Sequence, residues 1–221
     1  GGFTYDPNGS FESLAVSESN TDSFMYTISD GNGGTDTATV TLTITGVNDT
    51  PDAVDDSGAN FTTNEDSSLT QAAALGVLLN DTDVDTSDVL VVTAVNGTAG
   101  DVGNQITLTS GALLTVNADG GFTYNPNGQF ESLAVSESTT DSFMYTISDG
   151  NGGTDTATVT LTITGVNDAP VAVDDSGANF TTDEDSSLTQ DAAMGVLVND
   201  TDADTSDVLV VTAVNGTAGD V

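Results

Sequence analysis

The sequence predicts an all-β fold: an antiparallel Greek-key β-sandwich, repeated in tandem with a period of 119 residues. Three observations carry this expectation. Apolar residues alternate with Thr in short runs, turn residues punctuate those runs, and long stretches recur at a constant offset. SFMYTISDGNGGTDTATVTLTITGVND at 23–49 returns unchanged at 142–168, and AVDDSGANFTT at 53–63 returns at 172–182. Residues 1–102 align with 120–221 without insertion, with 92 identities in 102 pairs. A unit of this length is the size of a domain with its own core, too long for a solenoid repeat that leans on its neighbours. GVNDTP and GVNDAP each end a strand and bring in a proline, Pro51 or Pro170, so boundaries are expected there. The resulting division is a C-terminal part of a repeat at 1–49, a complete repeat at 50–168 and the N-terminal part of the next at 169–221. The two flanking parts lack only the counterpart of 103–119, so the tail of one chain is expected to be able to pair with the head of another.

Within the complete repeat, strands are expected at 52–56, 67–71, 89–95, 104–109, 112–117 and 122–124, with one helical turn in 72–80. The clearest signal is a hairpin of 142–148 with 155–164. Phe143, Tyr145 and Ile147 alternate with smaller or polar residues, and Ala157, Val159, Leu161 and Ile163 alternate with Thr. A period of two marks a half-buried strand, and the β-branched Thr suits its wet face. DGNGG at 149–153 supplies residues that tolerate positive φ and closes the hairpin. The expected core adds Leu69, Leu78, Leu90, Val92, Ile106, Leu108, Leu114, Val116, Phe122 and Tyr124 to these hairpin residues.

The 221 residues include no Lys, Arg, His or Cys, against 29 Asp and 6 Glu, for a formal charge of −35. No ion pair between side chains is possible, so the carboxylates repel one another, bind a cation or sit in solvent. Nucleic acid is excluded as a partner because phosphate contacts need cationic side chains. Direct membrane insertion is not expected, because no apolar run approaches the roughly 18 residues a bilayer span requires. Catalysis is not expected either: His, Cys and Lys are absent, and DTD does not match the DTG of an aspartic protease.

The carboxylates cluster. NDTDVDTSD at 80–88 and NDTDADTSD at 199–207 place Asp at alternate positions, which suits a hard cation that collects about six to eight oxygens. The EF-hand pattern fails, since Thr86 and Val92 stand where it needs Gly and Glu. The site must therefore be assembled from several loops, with Ca2+ as the expected ion. Sandwich topology returns loop 80–88 and turn 149–155 to the linker end. Asp81, Asp83, Asp85, Asp149, Asn151 and Asp155 are thus expected near Asn48 and Asp49. At the opposite end Glu65 is expected near Asn167 and Asp168, with Asp200, Asp202 and Asp204 arriving across the linker. Glu184 repeats Glu65 one period on. Glu131 and Glu137 read as plain surface.

The set AVDDSG, NEDSSLT, GVLLNDTDVDTSDVLVVTAVNGTAG, GGFTYNPNG and DSFMYTISDGNGGTDTATVTLTITGVNDAP resembles the VCBS and cadherin-like repeats of giant bacterial adhesins, often secreted by type I systems of the RTX type. That resemblance covers essentially the whole chain. It implies an Ig- or cadherin-like sandwich, calcium at the linkers, an extracellular or cell-surface location, and service as an extender. The expected partners are neighbouring repeats of the same chain and identical chains head to tail. A calcium-dependent glycan-binding or homophilic module is the alternative. The repeat is longer than many of its kind, and the hairpin near 103–117 has no counterpart in the pattern.

Overall fold

The computed structural model describes residues 1–215 together with Thr217 and Ala218. In chain order the strands are β1 (Ser19–Ser29), β2 (Thr35–Thr45), β3 (Thr62–Asn64), β4 (Leu69–Gln71), β5 (Val91–Val95), β6 (Ile106–Thr107), β7 (Leu113–Val116), β8 (Phe122–Asn125), β9 (Ser138–Ser148), β10 (Thr154–Thr164), β11 (Ala213–Val214) and β12 (Thr217–Ala218). The fold is all-β. β1 pairs with β2 and β11 with β12, each as a two-stranded antiparallel sheet. Between them stand two four-stranded sheets of orders β3-β10-β9-β5 and β4-β8-β7-β6.

The β9–β10 hairpin is the spine of the first sheet, in continuous register from Ser138↔Thr164 to Ser148↔Thr154. Its alternation works as the period of two demands. Phe143, Tyr145, Ile147, Ala157, Val159, Leu161 and Ile163 are buried. The intervening Thr158, Thr160 and Thr162 are only half-buried on the outer face. The facing sheet contributes Leu114, Val116, Phe122 and Tyr124, and the two inner faces close one core. Phe122 stacks on Phe61 at a centroid distance of 5.5 Å and meets Phe143 edge-on at 6.0 Å. Buried hydroxyls are satisfied: Tyr124 donates to Asp141 at 2.9 Å, and Tyr145 donates to the Val77 carbonyl at 2.9 Å.

Several elements differ from the sequence reading. Residues 52–56 form no strand; Asp52 makes an isolated bridge to Thr82 and Asp56 one to Val159. The cause is local: the Asp55 carboxylate, in place of a strand carbonyl, takes the Thr158 N–H at 2.8 Å. β3 takes up the edge instead, and it runs parallel to β10, so the first sheet is mixed. The expected helical turn in 72–80 is the 3₁₀ turn Ala73–Leu75, and similar turns stand at Ala59–Phe61, Ala99–Asp101 and Ala178–Phe180. Leu69, Leu78, Leu90 and Ile106 pack at the rim of the core, whose centre is completed by Phe61, Val77, Val95 and Ala112.

Candidate metal centre at the linkers

Two clusters of carboxylates form, one at each end of the β9–β10 sandwich. At the first, the loop after Asn80 and the β9–β10 turn converge on residues 48–49. One carboxylate oxygen each from Asp83, Asp88 and Asp149 lies within 4.8 Å of the others. Asp85 is buried and its Oδ2 accepts the Asp49 N–H at 2.8 Å. Asn48 donates its side-chain amide to Asp149 Oδ2 at 2.8 Å, and Asn151 donates to Asp88 at 2.8 Å. The turn itself is built around Asp149, whose carboxylate accepts the N–H groups of Asn151, Gly152 and Gly153. Gly153 has to be glycine, because a Cβ there would stand 2.2 Å from Asp149 Oδ2.

Burial alone would raise the Asp149 pKa, but the Asn48 amide and the three turn N–H groups hold it below the usual carboxylate range. Asp83 goes the other way: burial pushes it up, with the Asp85, Asp88 and Asp149 carboxylates adding to the shift. At about 4 Å two unit charges repel by about 4 kcal/mol at an effective dielectric of about 20. Three such groups in one place are a standing electrostatic cost.

At the second cluster, Glu65, Asp168 and Asp204 bring carboxylate oxygens within 4.8 Å of one another. Asp204 is buried and accepts the Asp168 N–H at 2.9 Å. Glu65 is buried and accepts the Val166 N–H at 2.7 Å through Oε1. Thr205 reaches back to the Ser132 carbonyl through its N–H and its hydroxyl, at 3.4 and 3.3 Å. Burial, then Asp204, Asp66 and Asp202, raises the Asp168 pKa. Glu131 is raised by burial and by Asp168, Asp66 and Glu65, which places it beside this cluster.

Asp204 repeats Asp85, Asp202 repeats Asp83, Asp207 repeats Asp88 and Asp168 repeats Asp49, each one period on. The second cluster therefore repeats part of the first one period on and adds Glu65 from the sandwich before its linker. A complete joint has Glu65 from the preceding sandwich, the linker Asn-Asp, three loop Asp residues and the turn Asp from the following sandwich.

The fit to a hard cation can be tested on the oxygens. Asn48 Oδ1, Asp83 Oδ2 and Asp85 Oδ1 at the first cluster, and Glu65 Oε2 and Asp204 Oδ1 at the second, are buried with no hydrogen-bond partner. Buried polar atoms are nearly always partnered, so each orphan needs an explanation. All five are oxygens, the donor type Ca2+ takes, and they come from five different side chains.

The remaining sequence candidates have other partners, some of them at the clusters and some away from them. Asp81 Oδ1 accepts the Val54 N–H at 2.8 Å and its carboxylate takes the Tyr145 hydroxyl; Asp200 accepts the Val173 N–H at 2.8 Å. Asp155 accepts the Ala53 N–H at 2.9 Å. Asn167 bonds the Asp168 carbonyl and Glu184 is exposed. Asn151 acts on Asp88 through its amide N–H. Glu137 closes its own turn by accepting the Ala134 N–H at 3.1 Å. Asp88, the last Asp of the loop 80–88, is part of the first cluster, and Glu131, read as plain surface, lies beside the second. A further carboxyl, Asp56, is buried near Tyr145; burial pushes its pKa up to about 7, the Tyr145 hydroxyl opposes that, and Asp81 and Asp55 add to it.

Two facing sheets around one core, with acidic groups gathered at both poles, define a cadherin-like β-sandwich module. Residues 48–165 match the bacterial cadherin-like domain, and the chain belongs to that family. Residues 1–43 match the bacterial Ig domain. The chain is 34% identical over 184 residues to a protein described as the calcium-binding lectin RapA2 of Rhizobium johnstonii, covering 75% of this chain and 72% of the relative. Among solved structures, a protocadherin gammaB7 EC3-6 cis-dimer is similar at 16% identity with a TM-score of 0.35, over 76% of this chain and 37% of that one. Among the described residues no helix is long and apolar enough to cross a membrane.

Proposed function

We propose that this chain is a calcium-stiffened structural extender from a bacterial surface adhesin or extracellular filament of the VCBS, type I-secreted RTX kind. Its sandwiches are the repeat at 50–168 and its neighbours. The observation that carries this is the set of five buried, unpartnered oxygens where the linkers meet the sandwiches. Asn48, Asp83, Asp85, Asp88 and Asp149 would hold an ion at the first linker, and Glu65 of the preceding sandwich, Asp168 of the linker, and Asp202 and Asp204 of the following segment would hold one at the second. A bound Ca2+ supplies positive charge that cancels their repulsion and ties linker to loop. The Asp49 and Asp168 N–H groups donate to Asp85 and Asp204, so these two carboxylates orient the linker through bonds of their own. Binding in the range of about 10⁻⁴ to 10⁻³ M would match an extracellular setting.

Small-angle scattering of the 221-residue chain, with millimolar calcium and then with chelator, tests this. Calcium should lengthen and stiffen the particle, each sandwich adding roughly 40 Å of strand length. Identical profiles in both conditions defeat the extender reading.

A second reading, calcium-dependent glycan recognition, is favoured by the RapA2 relative's description as a lectin. Tyr124 and Tyr145 are buried in the core, whereas Tyr26, which the alternation would also turn inward, is 46% exposed. Calcium-dependent retention on a glycan array would promote this reading over the first.

A further inference from the structure

Inside the sandwich, the hydroxyl of Tyr145 on β9 stands in a ring of acceptors. It lies 2.9 Å from the Val77 carbonyl, 3.0 and 3.1 Å from the two oxygens of Asp81, and 3.3 Å from the Val54 carbonyl. A phenol has one proton to give, so it serves one of these four oxygens at a time. Asp81 Oδ1 also has the Val54 N–H at 2.8 Å, and the Val54 carbonyl has the Asn80 amide at 3.0 Å. Asp81 Oδ2 and the Val77 carbonyl are left to share the single proton. Burial, then the Asp56 and Asp81 carboxylates, raises the Tyr145 pKa, so Asp56 stands beside the same hydroxyl.

Asp56 is 4% exposed, and its Oδ2 is buried with no hydrogen-bond partner. The backbone fixes where it points. Its N–H donates to the Thr158 carbonyl at 2.9 Å, and its carbonyl accepts the Thr160 N–H at 2.9 Å, a parallel bridge beside buried Val159. Asp55 before it is exposed and takes the Thr158 N–H at 2.8 Å, so the alternation of extended backbone turns Asp56 inward. A buried carboxylate with an orphaned oxygen is costly unless a positive charge meets it. The chain has no Lys, Arg or His to supply one. Neither Asp56 nor Asp81 belongs to a linker cluster.

We infer that Asp56, Asp81, the Tyr145 hydroxyl and the Val54 and Val77 carbonyls form a further calcium site, inside the sandwich and separate from the linkers. Every donor is an oxygen, and the mixture of carboxylate and neutral oxygens is what Ca2+ collects. Two carboxylates match the charge of one divalent ion, so the buried group becomes neutral as a whole. Asp81 is half-buried and Val54 is 41% exposed, which gives the ion a way in. The donors come from the segment after the linker, from the loop before Asp83 and from β9. An ion among them pins the first two to the central hairpin, so it acts on the body of one sandwich and not on the angle between two. Only the complete repeat, 50–168, carries all five groups in one sandwich, so one such ion per chain is expected.

The test uses the full 221-residue chain and Asp56→Asn, which keeps the shape of the buried side chain and removes its charge. Circular dichroism in chelator confirms that each variant keeps the sandwich. Equilibrium dialysis against calcium at about pH 8 counts the bound ions, and Asp56→Asn should bind one fewer per chain than the unmodified protein. Asp85→Asn, which strikes the first linker, should lose a different ion, so the double variant loses both. Terbium gives the position: it takes calcium's oxygen ligands and emits when a tyrosine beside it is excited, and the chain has no Trp to interfere. Tyrosine-excited emission should appear in the unmodified chain and in Asp85→Asn, and vanish in Asp56→Asn and Tyr145→Phe. A calcium count that Asp56→Asn leaves unchanged overturns the inference, and so does emission that survives in that variant. A count that Asp85→Asn leaves unchanged bears on the linker reading alone, so the two sites stand or fall separately.

Discussion

The Asp85 carboxylate holds the Asp49 backbone N–H at 2.8 Å through one oxygen and buries the other without a partner. The same side chain therefore fixes the direction of the linker and leaves an anionic oxygen in a low-dielectric pocket. Asp204 does the same for Asp168 one period later.

Calcium should raise the melting temperature of the 221-residue chain. At a concentration about a hundredfold above Kd, one site adds about 2.7 kcal/mol to the folded state. For a sandwich of this size that corresponds to a rise of roughly 10 °C. Differential scanning calorimetry against calcium concentration measures it, and a melting temperature indifferent to calcium and chelator contradicts the metal assignment.

Asp85→Asn should produce crossing behaviour. The amide can still accept the Asp49 N–H through its oxygen, and it removes one charge from the repelling group. In chelator the variant should melt at or above the unmodified protein. In calcium it should melt below it, with affinity reduced by about tenfold or more because a charged ligand is lost. Isothermal titration and thermal melts check both arms; a variant less stable in both conditions means that Asp85 acts only as a structural acceptor.

Gly153→Ala should disturb the site without touching a ligand. The new Cβ collides with Asp149 Oδ2, so the turn has to open and release the N–H groups that hold that carboxylate. A stability loss of about 1–3 kcal/mol is expected, together with weaker calcium binding by titration. Unchanged affinity would place Asp149 outside the ion's reach.

Asp56 should make the apo protein less stable toward alkaline pH. Its folded pKa, about 7, lies above the unfolded value of 3.8, so between those values the folded state keeps a proton that the unfolded state has released. This contribution is fully present below about pH 4, declines as pH rises through 7 and is gone above it. Asp56→Asn removes the dependence. The variant should be the more stable protein at pH 8, by on the order of 2–4 kcal/mol, and the two should converge near pH 4. Urea unfolding in chelator across that range decides it.

How much of this was legible in the sequence follows from the reach of each signal. The β9–β10 hairpin and the core residues Tyr145, Val159 and Leu161 were readable because a period of two is local. β3 was not, since three polar residues, Thr62 to Asn64, become a strand only by lying beside β10. Phe61 and Val77 escaped for a related reason: they enter the core from a turn and a loop, where no alternation marks them. In the acidic loop, alternate spacing suggested that Asp81, Asp83 and Asp85 act together. Thr82 bridges Asp52, and Asp81 accepts from Val54 and Tyr145, while beyond the bend at Val84 and Asp85 the Asp85 carboxylate accepts the Asp49 N–H of the linker. Asp88 and Glu131 join their clusters through residues 63 and 37 positions away, Asn151 and Asp168, a relation no local pattern contains.

The parallel alignment of the first and last segments of the sandwich has a mechanical meaning. The Asp56 N–H donates to Thr158, the Thr160 N–H donates to Asp56, the Glu65 N–H donates to Thr164, and β3 lies along β10 in the same direction. Tension entering at Asp49 and leaving at Asp168 pulls these two segments past each other, so the bonds between them are sheared as a group instead of unzipped in turn. A tether made of such units should stretch little and then yield abruptly, one unit at a time. Single-molecule pulling would show this as a sawtooth, and a smooth low-force extension would contradict it.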